Sequence, residues 1–561
     1  MKKNIAIHKI AFKITCLAIS LMSSNLYANK AGQLLQQMEQ QQQKTQLPKV
    51  KKPLIPKTEQ AKPSQKGETI TVKSFKFIGN KLIDSTQLNL VLVDYIDRPI
   101  SFSELQQTAN KIAEHYRESG WIVRAYLPKQ DITEGIVSIQ IIEAIFGGAE
   151  IKGGDSVRVG EQKLLDMIAE SQTIGETLNI QELDRALLLM DDLPGVTLTG
   201  SLKKGSGENE TNISIETAAE PFVAGNLGFN NFGARSTGYE QLVGNLYFNS
   251  PFKLGDQGTV NYTHSKGNDY IRLAYSIPVA NDGWRIGTSF SYLHYDLVQA
   301  AFKELDANGS SFTLGLDAKY PIIRSRTKNL YLNLDIDHKQ FDNEANASTT
   351  TAYGITSFSM GFSGNIYDSF IGGGANSAGL NLVLGEVQLG EINLSENSEL
   401  EGSFTKFTYY ISRQQAITDY ISLYGSLSGQ QSAGNLDSSE KMYLGGAYAV
   451  RAYPVNEAGG DDGQLINIEL RNRLPYNFNL TGFYDWGHVT VNHDKANNAP
   501  LNDISLQGAG ISLGWQSNFG LNLNFTWAHR LGSNPFQILN GTDLDGTLNH
   551  NRYWLQASMA F

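Results

Sequence analysis

Between residue 220 and Phe561 the chain alternates apolar and polar residues, segment after segment, and offers no convincing helical period. "DYIRLAYSIPV" sets Ile271, Leu273, Tyr275 and Ile277 on one face. "LYLNLDIDHKQ" sets Leu330, Leu332, Leu334 and Ile336 against Tyr331, Asn333, Asp335 and Asp337. "GLNLNFTWAHRL" opposes Leu521, Leu523, Phe525 and Trp527 to Asn522, Asn524 and Thr526. Successive side chains of a strand point to opposite faces, so each segment has an apolar wall and a polar wall. Clusters of Gly, Asn and Asp separate the segments and mark turns. A sheet closed in lipid requires this pattern: acyl chains meet the outside, water meets the inside, and every backbone group is paired within the protein.

At roughly 20 residues per strand and connection, this stretch holds about 16 strands. "YWLQASMAF" places Tyr553, Leu555, Ala557, Met559 and Phe561 on one face and reads as the closing strand. A closed sheet has no unpaired edge. The expected fold is therefore mainly β, a 16-stranded transmembrane barrel over residues 220–561. The mean hydropathy of −0.28 agrees, because alternation cancels in the average. Past the N-terminus no stretch approaches the roughly 18 consecutive apolar residues of a spanning helix. The formal net charge of −10 argues against nucleic acid as a partner.

The N-terminus indicates export. Lys2, Lys3, Lys9 and Lys13 precede the apolar run "ITCLAISLM", and "SSNLYANK" offers Ala28 as the last residue before cleavage. Residues 1–28 read as a secretory signal peptide. The one cysteine, Cys16, lies inside that run, so the mature chain holds no disulfide. Next, "AGQLLQQMEQQQQK" reads either as a short helix, with Leu34, Leu35 and Met38 on one side, or as a glutamine-rich tail. "LPKVKKPLIPKTEQAKPSQKGE", with four prolines, is an extended linker over residues 47–69.

Residues 70–144 and 145–219 read as two modules of one order, β-α-α-β-β. In the first, Asp84 or Ser85 caps one helix and Ser101 or Ser103 the next, whose buried stripe is Leu105, Ala109, Ile112, Ala113 and Tyr116. In the second, Pro194 and Gly195 stop the helix "NIQELDRALLLMDD".

Local motifs then carry a resemblance. Tyr116, Gly120, Leu127, Pro128, Gln130, Ile132 and Gly135, followed by "LPG" at Leu193–Gly195, match modules known as POTRA domains. Val450-Arg451-Ala452-Tyr453 and Phe483-Tyr484-Asp485-Trp486-Gly487 match two barrel motifs, with Ala452 in place of a glycine. With these motifs, nearly the whole chain resembles the ShlB/FhaC/HecB transporters of two-partner secretion (TpsB-type, CdiB-like members included). The resemblance implies a plug helix over residues 29–46 and two periplasmic POTRA domains that capture an unfolded exoprotein. It also implies a monomeric barrel in outer-membrane lipid of a Gram-negative bacterium, through which that TpsA-type exoprotein reaches the surface. The cargo would be a haemolysin, an adhesin or a contact-dependent inhibition toxin. The implied lumen-loop anchor is Arg451 with Asp485, and Val450, Tyr453, Phe483 and Gly487 are its motif neighbours. Independently of any family, an arginine in a narrow lumen needs a counter-charge, and Asp485 faces inward on a strand close in sequence. A glycine with positive φ at position 452 would leave alanine strained.

The alternative is a BamA-like assembly factor, which shares the barrel motifs but usually carries five POTRA modules. A porin would need no modules at all. Nothing points to an enzyme, a cofactor or a metal. The nine histidines read as scattered, with His488 and His493 as wet loop residues, and "IGGGANSAG", Ile371–Gly379, reads as a flexible loop rather than a phosphate cradle.

Overall fold

The computed structural model describes residues 30–42, 69–132, 134–153, 157–390, 401–495, 501–535, 537 and 541–561. The expected signal peptide lies outside the described residues, and so does the expected linker apart from Thr69.

Helix α1 (Lys30–Gln42) comes first. The first module then runs β1 (Thr69–Thr71), β2 (Ser74–Ile78), α2 (Ser85–Val91), β3 (Pro99–Ser101), α3 (Phe102–Glu118), β4 (Val123–Tyr126) and β5 (Ile136–Glu143). Strand β5 is central, parallel to β2 and antiparallel to β4. The small β1–β3 pair is an addition that the sequence pattern does not reveal. Asp84 caps α2 by accepting from the N–H groups of Gln87 and Thr86, which hold its carboxyl below the ordinary range. Ser101 and Glu104 form a capping box on α3. The stripe on α3 is buried at Leu105, Thr108, Ala109, Ile112 and Tyr116, while Ala113 is only half-buried.

The second module repeats the plan with β6 (Ile145–Lys152), α4 (Glu161–Ser171), α5 (Ile180–Asp191), β7 (Val196–Lys204) and β8 (Glu210–Ala219). Strand β8 is central, parallel to β6 and antiparallel to β7, as β5 is in the first module. The modules share a connection: the Ile180 N–H donates to the Gly120 carbonyl at 2.8 Å, and the Leu178 N–H to that of Ala144 at 2.8 Å.

Sixteen antiparallel strands close into a barrel, in which Val223–Asn230 pairs with both Gln241–Asn249 and Asn551–Ala560. The faces follow the alternation. Leu273, Ile336, Leu523, Phe525, Tyr553, Leu555 and Met559 are exposed on the outside, while Asn333 and Asp335 bond Ser363 and Ser359 across strands on the other face. The glycine-rich stretch Ile371–Gly379 departs from its reading as a loop. From Gly374 onward it is already strand, because glycines tolerate the close approach of the Arg413 and Tyr410 side chains on the paired strand.

The second module docks on the barrel's turns. Arg324, at the end of the strand Asn308–Arg324, grips Asp192 with two bonds of 2.6 and 2.8 Å. Arg326, in the following turn, grips Asp184 of α5. Arg185 donates to the Pro321 carbonyl at 2.8 Å, and Lys163 to Asn281 at 2.8 Å. Bidentate guanidinium–carboxylate pairs fix orientation as well as distance. These contacts identify the module-bearing mouth of the barrel, and the opposite mouth carries the long connections 433–461 and 531–550.

Candidate functional site

Among the described residues, two pieces of chain occupy the barrel interior. The first is α1. Its Ala31, Leu34, Leu35 and Met38 are buried in one cluster with Tyr270, Leu293, Tyr295, Phe341, Ile355 and Phe404 of the barrel wall. The helix reading is the one realised, and the apolar residues named from sequence form its buried side. Few polar contacts add to this. Gln37 donates to the Phe232 carbonyl at 3.0 Å, Gln36 to that of Lys441, and the Ala31 N–H reaches Asn343 at 3.3 Å.

The second piece is the connection between the strands Ile421–Ser432 and Asp462–Leu474, which folds inward and carries Leu444, Val450, Ala452, Tyr453 and Ala458 into a fully buried cluster. Arg451 lies at its centre. The guanidinium donates to both Asp485 oxygens, Nε to Oδ2 at 2.9 Å and Nη2 to Oδ1 at 2.7 Å, and the Arg451 backbone N–H adds a third bond to Oδ2 at 3.1 Å. Asp485 has 0% exposure, so this is a dry, two-pronged ion pair. The Phe483 ring lies under the guanidinium, 3.5 Å from its carbon.

Three further residues complete the site, and the sequence reading does not name them. Glu469 takes Nη1 of Arg451 at 2.9 Å. Asn467 donates to Asp485 at 2.8 Å and to the Ala449 carbonyl at 3.3 Å. The Trp554 indole donates to the Arg451 carbonyl at 2.8 Å, so the last barrel strand also touches the loop. The signal for the first two is present in "LINIEL": Asn467 and Glu469 alternate with Ile466 and Ile468 and must face the lumen. They stand directly opposite Asp485 and Phe483 in the sheet register.

The motif neighbours have separate jobs. Val450 packs against the bare backbone of Gly487, where an added Cβ would meet Leu444 at 2.7 Å and Val450 at 3.3 Å. Tyr453 is fully buried and faces the Arg530 guanidinium at 4.4 Å. The feared strain at Ala452 is absent. Its backbone is not left-handed; Asn456 and Ala458 are the loop's non-glycine residues with positive φ, at 62° and 52°. The Ala452 methyl lies over Gly508, the residue paired with Asp485, where a second Cβ would come within 2.5 Å. Glycine on the wall makes room for alanine on the loop.

Loop and plug share a link. Lys339 of the wall lies 3.1 Å from Glu440 on the loop and 3.6 Å from Glu39 on α1, and Lys406 reaches Glu440 at 2.7 Å. On the other side, Glu457 of the loop accepts from Asn534 and from the Leu544 N–H, both at 2.9 Å, which ties it to the connection over the outer mouth. Among the described residues no cluster of His, Cys, Asp and Glu is built to hold a metal.

Comparisons with known proteins agree with this architecture. The sequence model described as "Haemolysin secretion/activation protein ShlB/FhaC/HecB" matches residues 209–517, and that described as "POTRA domain, ShlB-type" matches residues 70–144. The heme/hemopexin transporter protein HuxB of Haemophilus influenzae is 26% identical over 463 residues, covering 79% of this chain and 81% of HuxB. The outer membrane transporter CdiB of Dickeya dadantii is 24% identical over 450 residues, covering 76% of this chain and 78% of CdiB. The solved structure of CdiB from Escherichia coli superposes with a TM-score of 0.71 at 20% identity, over 94% of this chain and 98% of that one. BamA from Haemophilus ducreyi, lacking POTRA domains 1–3, superposes with a TM-score of 0.52 at 15% identity, over 88% of this chain and 100% of that one.

Proposed function

The chain belongs to the haemolysin secretion/activation protein family ShlB/FhaC/HecB, and from that premise we propose how its geometry moves a protein outward. The family's members are outer-membrane transporters of two-partner secretion, and this chain is one of them, with its modules on the periplasmic side. BamA is a more distant neighbour in fold.

One observation carries the mechanism: the closed barrel holds a separate helix and an ion-paired loop in its lumen, with two modules fixed at its periplasmic mouth. In our reading, residues 70–144 and 145–219 are the capture modules, and residues 220–561 the conduit. An unfolded exoprotein segment pairs with a module through its main chain, α1 withdraws, and the segment threads the lumen. Arg451 and Asp485 hold the inward loop to the wall, so the conduit keeps its shape when the plug leaves. Val450, Tyr453, Phe483 and Gly487 seat that loop. The chain acts as a monomer in lipid and catalyses no reaction. Its partner is one large TpsA-type exoprotein of haemolysin, adhesin or toxin type.

Deleting this protein in its host is expected to trap one large exoprotein in the periplasm while other barrel proteins still insert. Fractionation with immunoblotting of the exoprotein and of a porin reads both. Loss of barrel proteins in general would instead make the chain an assembly factor.

A further inference from the structure

Five of the nine histidines stand in one repeated setting that transport does not use. His264, His294, His338, His488 and His529 each lie on a strand leading away from the module-bearing mouth, in its outer half. Their neighbours in sequence, Thr263 and Ser265, Leu293 and Tyr295, Lys339, Val489, and Ala528 and Arg530, are buried on the lumen side. The imidazoles therefore share the outer face, where His264, His294 and His488 are 50, 44 and 38% exposed. Two residues before each stands a large lipid-facing side chain: Tyr262, Tyr292, Ile336, Trp486 and Trp527 in turn. Five of the histidines counted as scattered in the sequence thus form a girdle, and His488, read there as a wet loop residue, lies on the strand Phe478–Thr490.

Four of them use Nδ1 in the same way, toward the directly paired residue of the next strand. His264 lies 2.8 Å from Asp269, His338 2.9 Å from Thr356, His488 2.9 Å from Ser505 and His529 2.9 Å from Asn551. The Asp269 oxygen also accepts from the Tyr262 hydroxyl, and the Asn551 oxygen from the Trp527 indole. Those oxygens are acceptors, so the imidazole Nδ1 carries the hydrogen there. At His264 and His529, Nε2 is left for a partner outside the wall, and it donates only when the ring takes a second proton. A phosphate oxygen is the partner that rewards that state.

We propose that this girdle binds phosphate-bearing lipid headgroups of the outer leaflet. The face is continuous with the barrel's lipid-facing band, in which Tyr262, Phe290, Ile336, Tyr484 and Phe525 are exposed. A ring of amphipathic side chains just beyond such a band lies at headgroup depth. The charged groups facing the imidazoles are Asp269 at His264 and His294, Asp296 at His294, and Asp503 at His488. His338, paired with Leu314 and Thr356, and His529, paired with Ala509 and Asn551, have only neutral partners in the register, so a phosphate meets no paired anion there.

The inference rests on the outer-membrane placement and not on the cargo. Its test uses the full chain in phosphatidylcholine nanodiscs containing either bisphosphorylated lipid A or its dephosphorylated form, with retained lipid counted by native mass spectrometry. The wild type is expected to retain the phosphorylated form preferentially. The variant with all five residues changed His→Gln should lose retention about tenfold while keeping heat-modifiable migration. If that variant fails to insert, H338Q with H529Q must show a partial loss. Equal retention of both lipids, unchanged retention by either variant, or displacement by inorganic phosphate would each overturn the proposal.

Discussion

Replacing Arg451 by alanine is expected to abolish export of the exoprotein while the barrel still inserts. The guanidinium answers two carboxylates at once, Asp485 through bonds of 2.9 and 2.7 Å and Glu469 at 2.9 Å. Without it, Asp485 keeps Asn467 but loses its counter-charge in a site with no solvent exposure. Leaving a buried charge unpaired costs about 3–5 kcal/mol, enough to drive the loop out of its seat. The wall does not share this loss, because the strands Asp462–Leu474 and Phe478–Thr490 stay joined along their full backbone register. Arg451→Lys should fall between the two, since a point charge cannot bridge both carboxylates in planar geometry. Immunoblots of medium and cells measure export, and heat-modifiable migration measures the barrel. Normal export by the alanine variant would remove the loop-anchor role.

Deleting residues 30–42 is the second change with a large expected effect. It should turn a closed barrel into an ion-conducting one, raising single-channel conductance in planar bilayers by about tenfold, since barrels of this strand number enclose an aqueous channel when nothing fills them. Helix α1 packs through Leu34, Leu35 and Met38, and Glu39 adds a 3.6 Å contact with Lys339. That hold suits a plug that must leave. Glu39→Gln removes the plug's carboxylate from Lys339, the wall lysine it shares with Glu440 of the loop, and should give brief openings without full conductance. A deletion variant as tight as the parent would show that other segments, not α1, close the pore.

Much of this was legible in the chain because lipid enforces a strict pattern. A one-residue slip would turn Leu521, Leu523 and Phe525 into the lumen, so alternation alone reports both strands and faces. The repeated module order could be read from caps and stripes, such as Ser101 or Ser103 ahead of Leu105, Ala109, Ile112, Ala113 and Tyr116, and the structure puts the cap at Ser101. Other features depend on pairing across the barrel, which periodicity does not encode. Asn467 and Glu469 show which face they are on, but only the register sets them opposite Asp485 and Phe483. Trp554 reaches Arg451 from a strand 103 residues away. The alanine at position 452 is explained by Gly508, a residue 56 positions on that becomes its neighbour only through the inward fold of the loop. The histidine girdle was hidden for the same reason: its members lie far apart in sequence on five different strands.

The central claim is that the exoprotein travels through the lumen along the path that α1 occupies at rest. A photo-reactive phenylalanine placed at Phe404, a wall residue of the cluster around α1, tests it directly in cells during export. The account predicts adducts with the plug segment when the exoprotein is absent, and adducts with the exoprotein when it is stalled in transit. Export that proceeds with adducts only to the plug segment would contradict it.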